Sequence, residues 1–180
     1  SDVIGGALIT NNQKILLKLK FWANALGITG SPFDSYLTLR GLRTLGIRME
    51  KHEKNAAAIV ELLSTHPKIN KIYYPGLPNH QSHAIAKKQQ NGFGGMLSFE
   101  ILDDLAGVKN FIEGMNTLPL AASLGGFESL VSHPYTMTHG NLTPDQKKEV
   151  GISESLIRIS AGLENTEDLL KLVNRGLNKI

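Results

Sequence analysis

From Ser31 onward the apolar residues change period repeatedly, from the 3.6 of a helix to the 2 of a strand and back. This switching restricts the fold more than any single motif. Each short strand must find a sheet, and each amphipathic helix must find a face to cover. The run "SPFDSYLTLRGLRTLGIRMEKHEKNAAAIVELLSTH" opens as a helix, with Ser31 as N-cap, Pro32 at the first helical position and Asp34 three residues after the cap. Leu37, Leu42, Leu45, Met49, Ala56, Ile59, Val60 and Leu63 carry its apolar period. Because the run exceeds a typical globular helix, Gly41 and Gly46 are expected to bend or break it, and a domain boundary is expected at 46–51. Strands are expected at 69–74, within "GGMLSFEIL" and at 156–160, with shorter ones at 117–122 and within "ESLVSHP". Helices are expected at 81–90, 105–115, after the Thr143-Pro144 cap, and at 167–180. The predicted class is α/β, with helices packed on a sheet.

Ahead of Ser31, residues 5–9 read as a buried strand, with Gly5-Gly6 as a bulge or a close backbone approach. Residues 13–25 read as a helix with Ile15, Leu19 and Trp22 on one face, ended by Gly27 and Gly30.

Composition narrows the chemistry. The 180 residues suit one domain or two small ones and suffice for a core. A net charge of +3 without a lysine–arginine cluster gives little support to nucleic-acid binding. The pairs Lys87-Lys88 and Lys147-Lys148 read as solvated helix faces. The absence of cysteine excludes disulfides, thiolate catalysis and cysteine zinc sites, and is compatible with a cytoplasmic setting. No apolar run approaches the roughly 20 residues of a spanning helix, so no membrane partner is expected. The histidines His80, His83, His133 and His139 lack the spacing of a helical zinc pair; His80 and His83 read as exposed near a helix start. No metal site is expected.

The sharpest chemical feature is "SLIRISAGLE". Strand alternation puts Ile157, Ile159 and Ala161 on one face, and Leu156, Arg158 and Ser160 on the other. Arg158 thus lies in an otherwise apolar strand, where an unpaired guanidinium costs several kcal/mol. Its planar fork fits a carboxylate, either of a ligand or of a residue such as Glu128. On the residues alone the internal ion pair is the simpler reading. The second feature is "AASLGGFESLVSHPYTMTHG", where Gly125-Gly126 form either a plain tight turn, the simpler reading, or a turn that presents Ser123 and adjacent amides to a ligand. Asn24 ends the helix of 13–25, where it caps the helix or projects into a site.

Four segments, "FWANALGITGSPFDSYLTLRGLRTL", "NGFGGMLSFE", "SLGGFESLVSHPYTMTH" and "GISESLIRISAGLE", resemble in order and across nearly the whole chain the pyridoxal-phosphate enzymes of cysteine and methionine metabolism. The resemblance is nearest to the cystathionine γ-synthase branch, with γ-lyases and homoserine-ester sulfhydrylases as close alternatives. Leu124 stands where a β-lyase is expected to carry tryptophan. The resemblance implies the C-terminal part of an aspartate-aminotransferase-like, fold type I transferase. Residues 1–46 would end the large cofactor domain, and 47–180 would form the small C-terminal α/β domain. It also implies a pyridoxal 5'-phosphate cofactor, amino-acid substrates (a homoserine ester and cysteine), a role in transsulfuration and methionine biosynthesis, and a homotetramer. Ser1-Asp2 matches the end of the K-Y-x-x-G-H-x-D stretch, which places the Schiff-base lysine, with the main cofactor contacts, before Ser1. Within the chain, the resemblance assigns Arg158 to the substrate α-carboxylate, Ser123 to the site beside lysine and substrate, Asn24 to the distal substrate group and Thr138 to the entrance. Ala122 replaces a glutamate that is usual in γ-synthases and γ-lyases. The contrasting reading, motivated by the missing lysine, is a non-catalytic α/β interaction module.

Overall fold

The computed structural model describes residues 2–180. The expected match of Ser1 to the lysine stretch lies outside the described residues. The chain divides into two compact units, 1–46 and 47–180.

In the first unit, helix α1 (Gln13–Ala25) starts where the Asn12 side chain accepts the Lys14 and Ile15 N–H groups. It ends at Gly27, whose φ of 64° reverses the chain. Gly27 N–H then meets the Asn24 carbonyl and Ile28 N–H the Ala23 carbonyl, the paired closure of a Schellman motif. Helix α2 (Pro32–Arg43) begins as expected, with Ser31 Oγ accepting the Asp34 N–H at 3.0 Å. The expected strand over 5–9 does not form: those residues are irregular and exposed, Leu8 by 80% and Ile9 by 94%. β-rich composition yields a strand only when a neighbour takes its backbone hydrogen bonds, and no described segment does so here.

The long helical run breaks at Thr44, whose N–H and hydroxyl both turn back to the Gly41 carbonyl. Helix α3 (Leu45–Ser64) follows, and only its later apolar residues, Ala56, Ile59, Val60 and Leu63, are buried.

The second unit is built on a four-stranded sheet in the order β1-β2-β4-β3, every pair antiparallel. Its strands are β1 (Ile69–Tyr73), β2 (Met96–Ile101), β3 (Leu130–Ser132) and β4 (Leu156–Ser160). Between them run α4 (His83–Gln89), α5 (Leu105–Gly114) and α6 (Pro144–Glu149), and α7 (Thr166–Leu177) closes the chain. Thr143 and Gln146 form a capping box on α6. The inner face of the sheet presents Leu97, Phe99, Ile101, Ile157 and Ile159 to α3, α5 and α7. The Phe99 and Phe111 rings meet edge to face at 5.5 Å. Helices α5 and α7 cross closely: a Cβ on Gly114 would lie 2.7 Å from Gly176 Cα, and one on Gly176 would lie 2.8 Å from the Phe111 carbonyl oxygen.

The strand expected at 117–122 is reduced to one bridge, Leu120 with Val131. Pro119 has no N–H to extend a ladder, and the carbonyls of Ala122 and Ser123 are taken by Arg158.

Tyr74 is buried in the core cluster and donates its hydroxyl to the Gly94 carbonyl. Burial, with a smaller contribution from Glu53, pushes its phenol up to about 12. The unfolded chain ionises near pH 10 and the native state does not until about 12, so this contribution to stability is whole below pH 10 and lost between 10 and about 12. Alkaline unfolding should therefore show a falling stability in that window, and Tyr74→Phe should flatten it, as read by urea midpoints against pH.

Candidate functional site

β4 is the centre of the candidate site because its outer face carries chemistry while its inner face is core. Arg158 pairs across the sheet with Ser98 on β2 and Ser132 on β3. The guanidinium is half-buried and donates from Nη2 to the carbonyls of Ala122 and Ser123, at 3.1 Å each. Nε and Nη1 meet no protein acceptor among the described residues. Nor does any carboxylate there form an ion pair with it.

The ion pair with Glu128 is therefore absent. The segment holding Glu128 is drawn past Arg158, towards the exit from β4: Leu163 N–H donates to the Phe127 carbonyl at 2.8 Å and Gly162 N–H to Ser129 Oγ at 2.7 Å. Glu128 Oε2 is left buried without a hydrogen bond.

Two residues beyond Arg158, Ser160 lies on the same face and its Oγ accepts the Gly125 N–H at 2.9 Å. Gly125 has a φ of 76°, a left-handed conformation that a side chain would strain. The turn at 122–126 is thus tied to β4 at both ends, with Ser123 exposed between the ties. Farther on, Glu164 accepts the N–H and hydroxyl of Ser129. Fully buried Asn55 donates to the carbonyls of Gly162 and Glu164 and accepts the Thr166 hydroxyl. His52 Nδ1 meets the Ala161 carbonyl at 2.6 Å. The middle turns of α3 therefore fix the exit of β4.

The connection from β3 to β4 carries Thr138. His133 is buried; its Nε2–H donates to the Glu154 carbonyl at 2.8 Å, and its Nδ1 lies 2.8 Å from Thr136 Oγ1. A hydrogen bond to the Glu154 side chain, followed by burial, raises the Tyr135 phenol above its ordinary range. The Lys147 ammonium lies 4.0 Å from the Tyr135 ring centroid. Lys147 is buried, contrary to its reading as part of a solvated face, and its charge rests on that ring. Thr138 is exposed, with its hydroxyl 2.8 Å from His139 Nδ1.

Of the four expected site residues, the structure brings Arg158 and Ser123 together through a direct hydrogen bond. Thr138 lies on the β3–β4 connection, and Asn24 is an exposed residue in the last turn of α1, within the first unit. His83 is not free: its Nδ1 lies 2.8 Å from the Pro75 carbonyl oxygen and its ring stacks on Phe93. A cavity of about 510 Å³ runs along β1 between Leu63, Ile72, Tyr73, Leu77 and His80; Arg158 and Ser123 do not line it. Among the described residues there is no group of three metal-ligating side chains and no helix long and apolar enough to cross a membrane.

The profile described as "Cys/Met metabolism PLP-dependent enzyme" matches residues 1–178. The chain belongs to this family. Its cofactor is pyridoxal phosphate. The chain is 49% identical over 176 residues to cystathionine γ-synthase of Escherichia coli, 45% over 179 residues to cystathionine γ-lyase of Dictyostelium discoideum, and 46% over 179 residues to cystathionine β-lyase of Lactococcus lactis. Each match takes in 98–99% of this chain and 46–47% of the relative, so the chain spans about half their length. A solved structure of cystathionine γ-synthase from Xanthomonas oryzae in complex with aminoacrylate and cysteine superposes with a TM-score of 0.91 at 49% identity, covering 99% of this chain and 46% of that one. Overall identity does not separate γ-synthase from γ-lyase or β-lyase within the family. The residues present fit the amino-acid end of a pyridoxal-phosphate site: Arg158 keeps N–H groups that meet no acceptor among the described residues and are open to a carboxylate ligand.

Proposed function

We propose that the chain is the C-terminal portion of a cystathionine γ-synthase-like enzyme, in which an activated homoserine ester exchanges its γ-substituent for cysteine to give cystathionine. Residues 1–46 would end the large cofactor domain and 47–180 form the small domain of a cytoplasmic homotetramer. The observation that carries this reading is Arg158, held on backbone carbonyls and forming no ion pair with a protein acid among the described residues.

Pyridoxal phosphate supplies the electron sink that makes the substrate α-carbon acidic. The protein's task is orientation. Arg158 grips the α-carboxylate, which fixes the α-carbon relative to the cofactor face. Ser123 presents its hydroxyl beside the reacting end of the amino acid, Asn24 meets the distal group and Thr138 borders the entrance. Among the described residues Arg158 has no acid partner, so substrate binding breaks no ion pair there.

A γ-lyase activity is the second reading, supported by the 45% identity to a cystathionine γ-lyase beside the 49% identity to a γ-synthase. Ala122 lacks the glutamate usual in both branches, so this position does not choose between them. The full-length protein, given a homoserine ester with cysteine, sulfide or neither, should form cystathionine with cysteine. Formation of 2-oxobutanoate and ammonia in place of cystathionine would establish the lyase. The 180-residue chain alone should show no pyridoxal-phosphate-dependent turnover, and measured turnover would overturn the view that the lysine lies outside it.

A further inference from the structure

Arg158 and Ser160 are neighbours on one face of β4, about 7 Å apart along the strand. Together they hold three backbone groups of one short turn: the carbonyls of Ala122 and Ser123 go to Arg158 Nη2, and the N–H of Gly125 goes to Ser160 Oγ. The two grips differ in firmness. Ser160 is 2% exposed and paired on both sides, with Met96 and with Leu130, so it has no room to swing away. Arg158 ends a long flexible stem, and its head is aimed by whatever accepts its hydrogen bonds.

We propose that Ser160 is a positioning residue for the carboxylate grip. By accepting the Gly125 N–H it fixes the 122–126 turn, and the fixed carbonyls of that turn, held by Nη2, set the direction in which the rest of the Arg158 guanidinium meets the substrate. The left-handed Gly125 sharpens this dependence. Its N–H is spent on Ser160 Oγ, so losing that oxygen removes this tie on the segment that bears Ser123. The direction of Arg158 is then set by a moving support. This inference rests on the reading of Arg158 as the carboxylate ligand.

The test uses the full-length holoenzyme. Inhibition constants are measured for an unreactive amino acid and for its α-amide, which has the same side chain without the negative charge. Loss of one hydrogen bond in the support should weaken the amino acid by roughly three- to tenfold in Ser160→Ala. The amide, which does not engage the guanidinium as a charge, should change much less, so selectivity for carboxylate over amide falls. Ser160→Thr keeps the hydroxyl and should restore the selectivity. Equal weakening of both inhibitors in Ser160→Ala, no weakening of either, or the same loss in Ser160→Thr would each overturn the proposal. A wild-type protein that neither binds pyridoxal phosphate nor distinguishes the two inhibitors would overturn the reading beneath it, and that is seen before any variant is made.

Discussion

Replacing Arg158 with alanine in the full-length protein is expected to weaken binding of the amino-acid substrate by roughly a hundredfold or more, the scale of losing one side of a charge-paired hydrogen bond in a sheltered site. The loss should appear in KM first. It should also lower kcat, because a substrate held without its carboxylate anchor presents its α-carbon in many orientations. Arg158→Lys should recover little of this. Lysine keeps the charge but lacks the planar fork that serves two backbone carbonyls and a ligand together. Steady-state kinetics with a homoserine ester would check both variants; an Arg158→Ala enzyme with unchanged KM would remove Arg158 from the substrate.

The second large effect is expected at a residue with no ligand role. Asn55 is completely buried and satisfies three groups across a long sequence interval: the carbonyls of Gly162 and Glu164 and the hydroxyl of Thr166. Asn55→Ala leaves the buried Gly162 carbonyl and the part-buried Glu164 carbonyl without this donor and opens a small void. Unmade buried hydrogen bonds cost about 1–3 kcal/mol each, so a loss of about 3 kcal/mol is expected. The effect should be local before it is global. Amide exchange followed by mass spectrometry should show the 161–166 segment losing protection while β2 retains it. Uniform loss across both segments would show that Asn55 supports the whole unit instead.

The elements that sequence made legible are those governed by local chemistry. The Ser31 and Thr143 caps, the Gly27 stop, and the alternation of β2 and β4 all depend on neighbours within a few residues. What was illegible depends on partners far along the chain. Residues 5–9 look like a strand by composition, yet a strand exists only through its neighbour. The acceptors of Arg158 are main-chain oxygens of Ala122 and Ser123, and a carbonyl leaves no mark in the sequence; a carboxylate such as Glu128 does, which made it the natural guess. Ser160 was visible on the same face as Arg158, but its bond to Gly125 depends on a turn 35 positions away. Asn55 gave no signal either, because a buried asparagine and a solvated one are written with the same letter on a helix.

The crossing of α5 and α7 has a practical consequence for anyone surveying this region by replacement. Gly114 and Gly176 let two main chains touch with nothing between them. Alanine, the mildest probe elsewhere, would act here as a wedge and prise the closing helix off its neighbour. A scan built on alanine would then flag both positions as indispensable, although neither brings any reactive group to the molecule.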